Sequence, residues 1–204
     1  MLRGLNPIQL LILMPIIFIC MTVHEVSHGY AAYLMGDNTA KDRGRLTLNP
    51  IRHIDWIGFL MMMTVGFGWA KPVPVNPYNF SEPKRGMAIT ALAGPISNVI
   101  FAFLAMIGLY YFSDVPYLNI ALFLLIQYNV MFAVFNMLPI PPLDGSKVLF
   151  ALLPDSAYNK LLQYERYGMI VMIALLYTGV LTPYLQGASD GLINILDKAV
   201  RMLP

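Results

Sequence analysis

The pentapeptide His24-Glu25-Val26-Ser27-His28 is the first place where residue types and spacing point to chemistry. On a helix, residues four apart share a face. His24 and His28 can therefore offer two imidazole nitrogens to one metal ion, with the Glu25 carboxylate beside them. Zinc held in this way lowers the pKa of its bound water, and a nearby base takes the proton as that water attacks a carbonyl. The residues just upstream, Leu10 to Val23, are apolar apart from Pro15 and Thr22. Ionisable groups at the end of such a run are costly beside lipid unless they face protein, water or a metal. The plainer alternative is a pair of histidines satisfied by their own helix, and the intramembrane setting disfavours it. Cys20 lies four residues before His24 and shares its face. A thiolate ligand is conceivable there, but a free cysteine more often fills space as a small apolar side chain.

A zinc site of this kind needs a third protein ligand and an open position. His53 is the one remaining histidine, so carboxylates are the main pool. Asp144 stands out because it lies where the Pro139-Ile140-Pro141-Pro142 break meets a new apolar helix, and Gly145 lets backbone approach closely. On residue chemistry alone Asp144 fits a metal ligand and a helix N-cap equally well. His53 fits a structural hydrogen bond in a basic loop better than a ligand. Asn136 suits the broken end of a helix, where freed backbone groups need partners.

The elements that must position these residues belong to a membrane protein. Of 204 residues, 58% are hydrophobic and 12% charged, with mean hydropathy +0.63. Soluble domains carry about 25% charged residues, so this chain cannot cover a soluble surface. The expectation is one membrane-embedded domain over residues 1–204, with a core at 7–155 and C-terminal helices at 156–204. A net charge of +2 with scattered basic residues gives no nucleic-acid footprint. Cys20 is alone, which excludes an internal disulfide. Arg3 and the apolar stretch after it resemble a leader, but no small-residue cleavage site follows, so this is expected to be an uncleaved first span.

Hydropathy predicts a first helix from about Pro7 to Met35, a second from Met87 to about Phe112, and a third from about Tyr117 to Met137. A short helix follows Asp144, a polar stretch runs from Pro154 to Arg166, and an apolar stretch runs from Tyr167 to about Leu185. Leu192 to Leu203 is amphipathic and expected on the membrane surface. Trp56 to Trp69 is too short to span and suits a re-entrant or interfacial segment. In Ala70-Lys71-Pro72-Val73-Pro74-Val75-Asn76-Pro77 the prolines forbid helix and force extended chain. Such backbone must lie at the surface or line a watery cavity. Its edge, at Val73, Val75 and Asn76, is a candidate substrate strand, with a rigid loop as the alternative. The fold class expected is thus an all-α polytopic membrane protein, with about five to six transmembrane helices and a re-entrant or extended β-like segment around residues 45–80.

Lys41, Arg43, Arg45, Arg52, Lys71, Lys84 and Arg85 fall between residues 37 and 86, whereas the turn at 113–117 has no basic residue. The positive-inside rule then puts 37–86 in the cytoplasm. Two crossings later Asp144 returns to the same side, at a depth where it can meet the histidines.

The His24–His28 pentapeptide, Gly94-Pro95-Ile96-Ser97-Asn98, and Asn136-Met137-Leu138-Pro139-Ile140-Pro141-Pro142-Leu143-Asp144-Gly145, in this order, resemble the site-2 proteases, which are intramembrane zinc metalloproteases. The Asn49–Asp55 run and the AKPVPVNP stretch are similar to the short members of that family, without PDZ or CBS domains. The resemblance covers roughly residues 7 to 155. It implies one Zn2+ held by His24, His28 and Asp144, with Glu25 as general base, and a part for Asn98 at the scissile carbonyl or its oxyanion. A helix–helix hydrogen bond is the plainer role for Asn98.

The function expected is cleavage of peptide bonds within transmembrane segments of membrane-anchored substrates, by zinc-bound water activated by Glu25. The partners are a transmembrane substrate and the lipid bilayer, and not nucleic acid. The location expected is the plasma membrane of a prokaryote, with the site toward the cytoplasm. A di-iron oxidase would need more than three histidines. A non-catalytic scaffold or a zinc-binding transporter is the alternative, although the sequence lacks the internal repeat a transporter usually carries.

Overall fold

The computed structural model describes residues 7–65 and 68–203. Arg3, considered above as the start of a leader, and Phe67 lie outside the described residues. The described chain is helical throughout: α1 (Pro7–Leu34), α2 (Thr39–Asp42), α3 (Trp56–Val65), α4 (Pro83–Tyr111), α5 (Pro116–Asn136), α6 (Asp144–Ala151), α7 (Asp155–Tyr177) and α8 (Thr182–Arg201). Single 3-10 turns occupy Pro50–His53 and Pro77–Asn79, each entered through an asparagine whose side chain accepts a backbone N–H, Asn49 from Ile51 and Asn76 from Tyr78.

Among the described residues three helices are long and apolar enough to cross a membrane: Leu11–Leu34, Pro83–Tyr111 and Tyr117–Asn136. Tyr167–Tyr177 and Thr182–Arg201 meet at 88° and make a fourth crossing only if the bent pair counts as one span. Three to four candidate spans thus stand among the described residues, where hydropathy led to an expectation of five to six. At 1.5 Å per residue the ten residues of α3 reach about 15 Å, half a bilayer core, and the eight of α6 reach less.

The polar stretch before Tyr167 is not a connector. It forms the first turns of α7, which begins at Asp155 just after Pro154. The break instead comes at 178–181, where Gly179 takes φ +72°.

Outside α3 and the two 3-10 turns, the described residues between 45 and 80 form no named strand. Ile54 and Ala70 share one isolated antiparallel bridge, and Lys71 N–H donates to the His53 carbonyl at 2.9 Å.

Helix α4 is central and packs against α1, α5, α6 and α8. Ala102, Ala105 and Met106 of α4, Ile126 and Val130 of α5, and Leu196 and Val200 of α8 form one buried cluster. The alanines let these helices approach closely, which suits packing where lipid is as apolar as any side chain. Residues of α8 expected to lie on the membrane surface are thus drawn into the core, while Ile195 on the same helix stays exposed. Pro15 and Pro95 sit inside continuous helices; Pro95 does not begin one.

Candidate metal centre

His24 and His28 lie one turn apart on α1, and Asp144 opens α6, 120 residues beyond His24. The structure brings one ligating atom from each within 4.8 Å of the other two. His24 Nε2 is 3.1 Å and His28 Nε2 3.2 Å from Asp144 Oδ2, and the two Nε2 atoms are 2.9 Å apart. His24 and Asp144 are buried, and the His28 side chain is nearly so.

The hydrogen bonds behind the rings decide what those atoms present. His28 Nδ1 lies 2.7 Å from the Thr90 carbonyl, which can only accept, so the ring proton is on Nδ1. His24 Nδ1 lies 2.6 Å from Asn98 Oδ1, likewise an acceptor. Both Nε2 atoms therefore carry lone pairs, and both face a carboxylate oxygen. Three acceptors at about 3 Å with no hydrogen between them repel one another unless a cation or an added proton sits among them. Two imidazoles and a carboxylate, with protons fixed on the outer nitrogens, fit zinc.

Glycines permit this approach. A Cβ at Gly94 would lie 2.5 Å from His28 Nε2 and 2.6 Å from His24 Cε1, so α4 can pass the imidazoles only without a side chain there. A Cβ at Gly145 would overlap the Met137 carbonyl, so the start of α6 lies directly against the end of the preceding turn, as its glycine led one to expect. The N-cap alternative for Asp144 is not met. Leu143 occupies that position, and the Asp144 carboxylate reaches the histidines.

Glu25 faces the same cavity of about 270 Å³, which is lined among others by Pro72, Val73, Val75, Asn136 and Lys147. Glu25 Oε2 accepts the Val73 N–H at 2.8 Å. The extended segment 71–76 is thus a strap across the site. Arg45, buried, donates from Nη2 to the Lys71 carbonyl at 2.7 Å. The Asn76 N–H donates to Asp37 Oδ2 at 2.7 Å. Asp37 is itself fully buried and also accepts from Thr39 and from Asn79 Nδ2. Gly29 lets the Val73 side chain rest on α1.

The expected residues divide by position. Val73 and Val75 line the cavity; Asn76 does not, its N–H being held by Asp37. Asn98 does not face the cavity either. It is fully buried behind His24, with its Oδ1 2.6 Å from the ring Nδ1. Asn136 donates to the Phe132 carbonyl at 3.0 Å, which ties the helix end as expected, and it also lines the cavity. His53 donates from Nε2 to the Thr47 carbonyl and stays structural. Cys20 is buried and takes no place among the three converging groups.

Lys147, Asp37 and Arg45 were missed. Lys147 is one helical turn beyond Asp144, a spacing that could have flagged it, and its Nζ lies 3.7 Å from Asp144 Oδ1.

Comparison with known proteins adds the family. Residues 117–179 match the profile described as peptidase family M50. Over 200 residues, 92% of this chain, it is 39% identical to a Bacillus subtilis protein named "Putative zinc metalloprotease YwhC", covering 91% of that protein. The chain belongs to peptidase family M50, the site-2 protease family of zinc metalloproteases. This M50 protein is also 28% identical over 168 residues to "Putative zinc metalloprotease Rip2" of Mycolicibacterium smegmatis, covering 78% of this chain and 64% of that one. It is 37% identical over 94 residues to "Putative zinc metalloprotease MJ0611" of Methanocaldococcus jannaschii, covering 46% of this chain and 49% of that one. No solved structure matches. Its apolar helices suit the membrane setting of the family.

Proposed function

We propose that this M50 protein is an intramembrane metalloprotease that hydrolyses peptide bonds in transmembrane segments of membrane-anchored substrates. The observation that carries this is the meeting of His24 Nε2, His28 Nε2 and Asp144 Oδ2 on the cavity that Glu25 faces. His24 lies ten residues before the end of the Leu11–Leu34 span, roughly 15 Å along the helix, which supports cleavage at bilayer depth.

Zinc would be held by His24, His28 and Asp144, and when bound it polarises the scissile carbonyl and acidifies water. Glu25 takes a proton from the attacking water and delivers it to the departing amide nitrogen as the C–N bond breaks. Lys147 and Asn136, which line the cavity, offer N–H groups to the oxygen that gains charge. Asn98 acts behind His24 instead of on substrate.

The strap supplies a binding edge. Pro72 and Pro74 have no N–H, and the N–H groups of Val73 and Asn76 are held by Glu25 and Asp37. An extended substrate can therefore pair with the strap through Val75 N–H and the strap carbonyls. The exposed apolar side chains of Leu48, Ile51, Trp56, Ile57 and Leu60 support a segment that dips into the bilayer beside the strap. Residues 7–155 are proposed as the proteolytic core of one membrane unit, with the site toward the cytoplasmic side of a prokaryotic plasma membrane.

The test is reconstitution in vesicles with a transmembrane substrate. Wild-type protein should contain one zinc and cut, and a chelator should stop cleavage until zinc is returned. Glu25→Gln should keep zinc and lose cleavage by at least about a hundredfold. Normal turnover by that variant would remove Glu25 from the mechanism.

A further inference from the structure

Asn129 lies in the second half of α5, a helix that also carries Asn119, Gln127 and Asn136, and unlike them it is fully buried. An amide there needs partners, and its partners have a direction. Its Nδ2 donates to the Leu125 carbonyl at 2.8 Å and to Cys20 Sγ at 3.1 Å. A backbone carbonyl can only accept, so the nitrogen end of Asn129 is fixed on that side. Its oxygen end then faces Asn98 and accepts from Asn98 Nδ2 at 2.8 Å. Asn98 Nδ2 also lies 3.3 Å from the Cys20 carbonyl. With two acceptors around its nitrogen, Asn98 must turn its oxygen to His24 Nδ1, at 2.6 Å.

We infer that Asn129 is a positioning residue for the metal centre, setting the tautomer of His24 through Asn98. A carboxamide can bind an imidazole from either end. With Asn98 reversed, an N–H would face His24 Nδ1, and that nitrogen would have to accept. The ring proton would then sit on Nε2, pointing at His28 Nε2 and Asp144 Oδ2, and His24 would have no lone pair for a cation. His28 needs no such relay, since the Thr90 carbonyl has one sense only. Partners that orient a metal-bound histidine commonly matter 10–100-fold in affinity. The relay spans three helices: α5 holds Asn129, α4 holds Asn98 and α1 holds His24 and Cys20.

This inference rests on His24 as a zinc ligand, so the experiment separates the two claims. Zinc affinity is measured by chelator competition on the purified full chain, with thermal melting to verify the fold. If the wild type binds no zinc, the site assignment itself fails. If it binds, Asn129→Leu removes the shorter of the two acceptors on Asn98 Nδ2, leaving the Cys20 carbonyl at 3.3 Å, and should weaken zinc by about 10–100-fold. Asn129→Asp keeps an acceptor toward Asn98 and should stay within about threefold of wild type. Asn98→Asp puts a carboxylate against His24 that accepts from either end, so adding Asn129→Leu to it should cost little further affinity. Wild-type affinity in Asn129→Leu, or an equal loss in both backgrounds, would overturn the relay. A measurement on the zinc-free wild type covers the case of a misfolded variant: histidine 15N spectra at pH 8 should show the His24 proton on Nδ1. A His24 Nδ1 without a proton would end the proposal.

Discussion

The backbone N–H of Val73 donates to Glu25 Oε2 at 2.8 Å, joining the strap to the residue proposed as base. Oε2 is thereby held while the Glu25 side chain still lines the cavity. A charge-assisted hydrogen bond of this kind contributes about 1.5–3 kcal/mol. Val73→Pro removes the donor from a segment that is already extended between prolines. Cleavage should fall about 10–100-fold with zinc content unchanged. Unaltered turnover in the vesicle assay would mean that the contact does not serve the base.

Gly94→Ala tests the packing that permits the centre. Alanine favours helix, so α4 should persist. The added Cβ would press on both imidazole rings at 2.5–2.6 Å. The variant should fold yet lose most of its bound zinc by metal analysis. A full equivalent of zinc in a normally melting Gly94→Ala protein would contradict the observed approach of α4 to α1.

Much of this was legible in the sequence, and the reasons differ by residue. His24 and His28 were visible because spacing on one helix fixes which side chains meet. The strap was visible because proline removes both helix and donors. Asp144 was visible as a candidate, but residue chemistry could not separate ligand from cap, since both uses want an aspartate at a helix start. The number of spans was less legible, because hydropathy does not say whether α7 and α8, bent at 88°, make one crossing. Asn98 was noticed as a motif residue whose buried contact with His24 was not legible, and Asn129 was missed. An amide in an apolar helix carries no sign of which partner it meets until two other helices are packed beside it.

Asp37 gives a pH prediction outside the centre. Burial raises its carboxyl, but donors on Thr39, the Asn76 N–H and the Asn79 amide outweigh burial and hold the group below its ordinary value. A depressed folded value stabilises the protein above the unfolded pKa, near 4, and the gain is lost as pH falls through the folded value. The melting temperature should therefore drop as pH is lowered below about 4. Asp37→Asn should melt lower at neutral pH, by an amount equivalent to about 1–3 kcal/mol, and show a flatter decline in acid. An acid profile identical in both proteins would show that Asp37 does not carry this dependence.

Lys147 offers the last test, one of charge beside the metal ligands. Its Nζ is 3.7 Å from Asp144 Oδ1, the oxygen that does not face the histidines, and about a third of its side chain is exposed. The attraction holds Oδ1 aside, so that Oδ2 alone meets the imidazoles. For a partly exposed pair this is worth about 0.2–1 kcal/mol, so Lys147→Met should weaken zinc only about two- to fivefold. Cleavage should suffer more than zinc binding if Nζ also meets the oxygen that gains charge, because that contact forms only in the transition state. Lys147→Arg should recover the zinc affinity. Lys147→Glu places like charge against Asp144 and should lose more zinc than Lys147→Met. Chelator competition and kcat, measured on the same preparations, separate the two roles. Equal losses of both in Lys147→Met would leave Lys147 a neighbour of Asp144 alone, with no part in the chemical step.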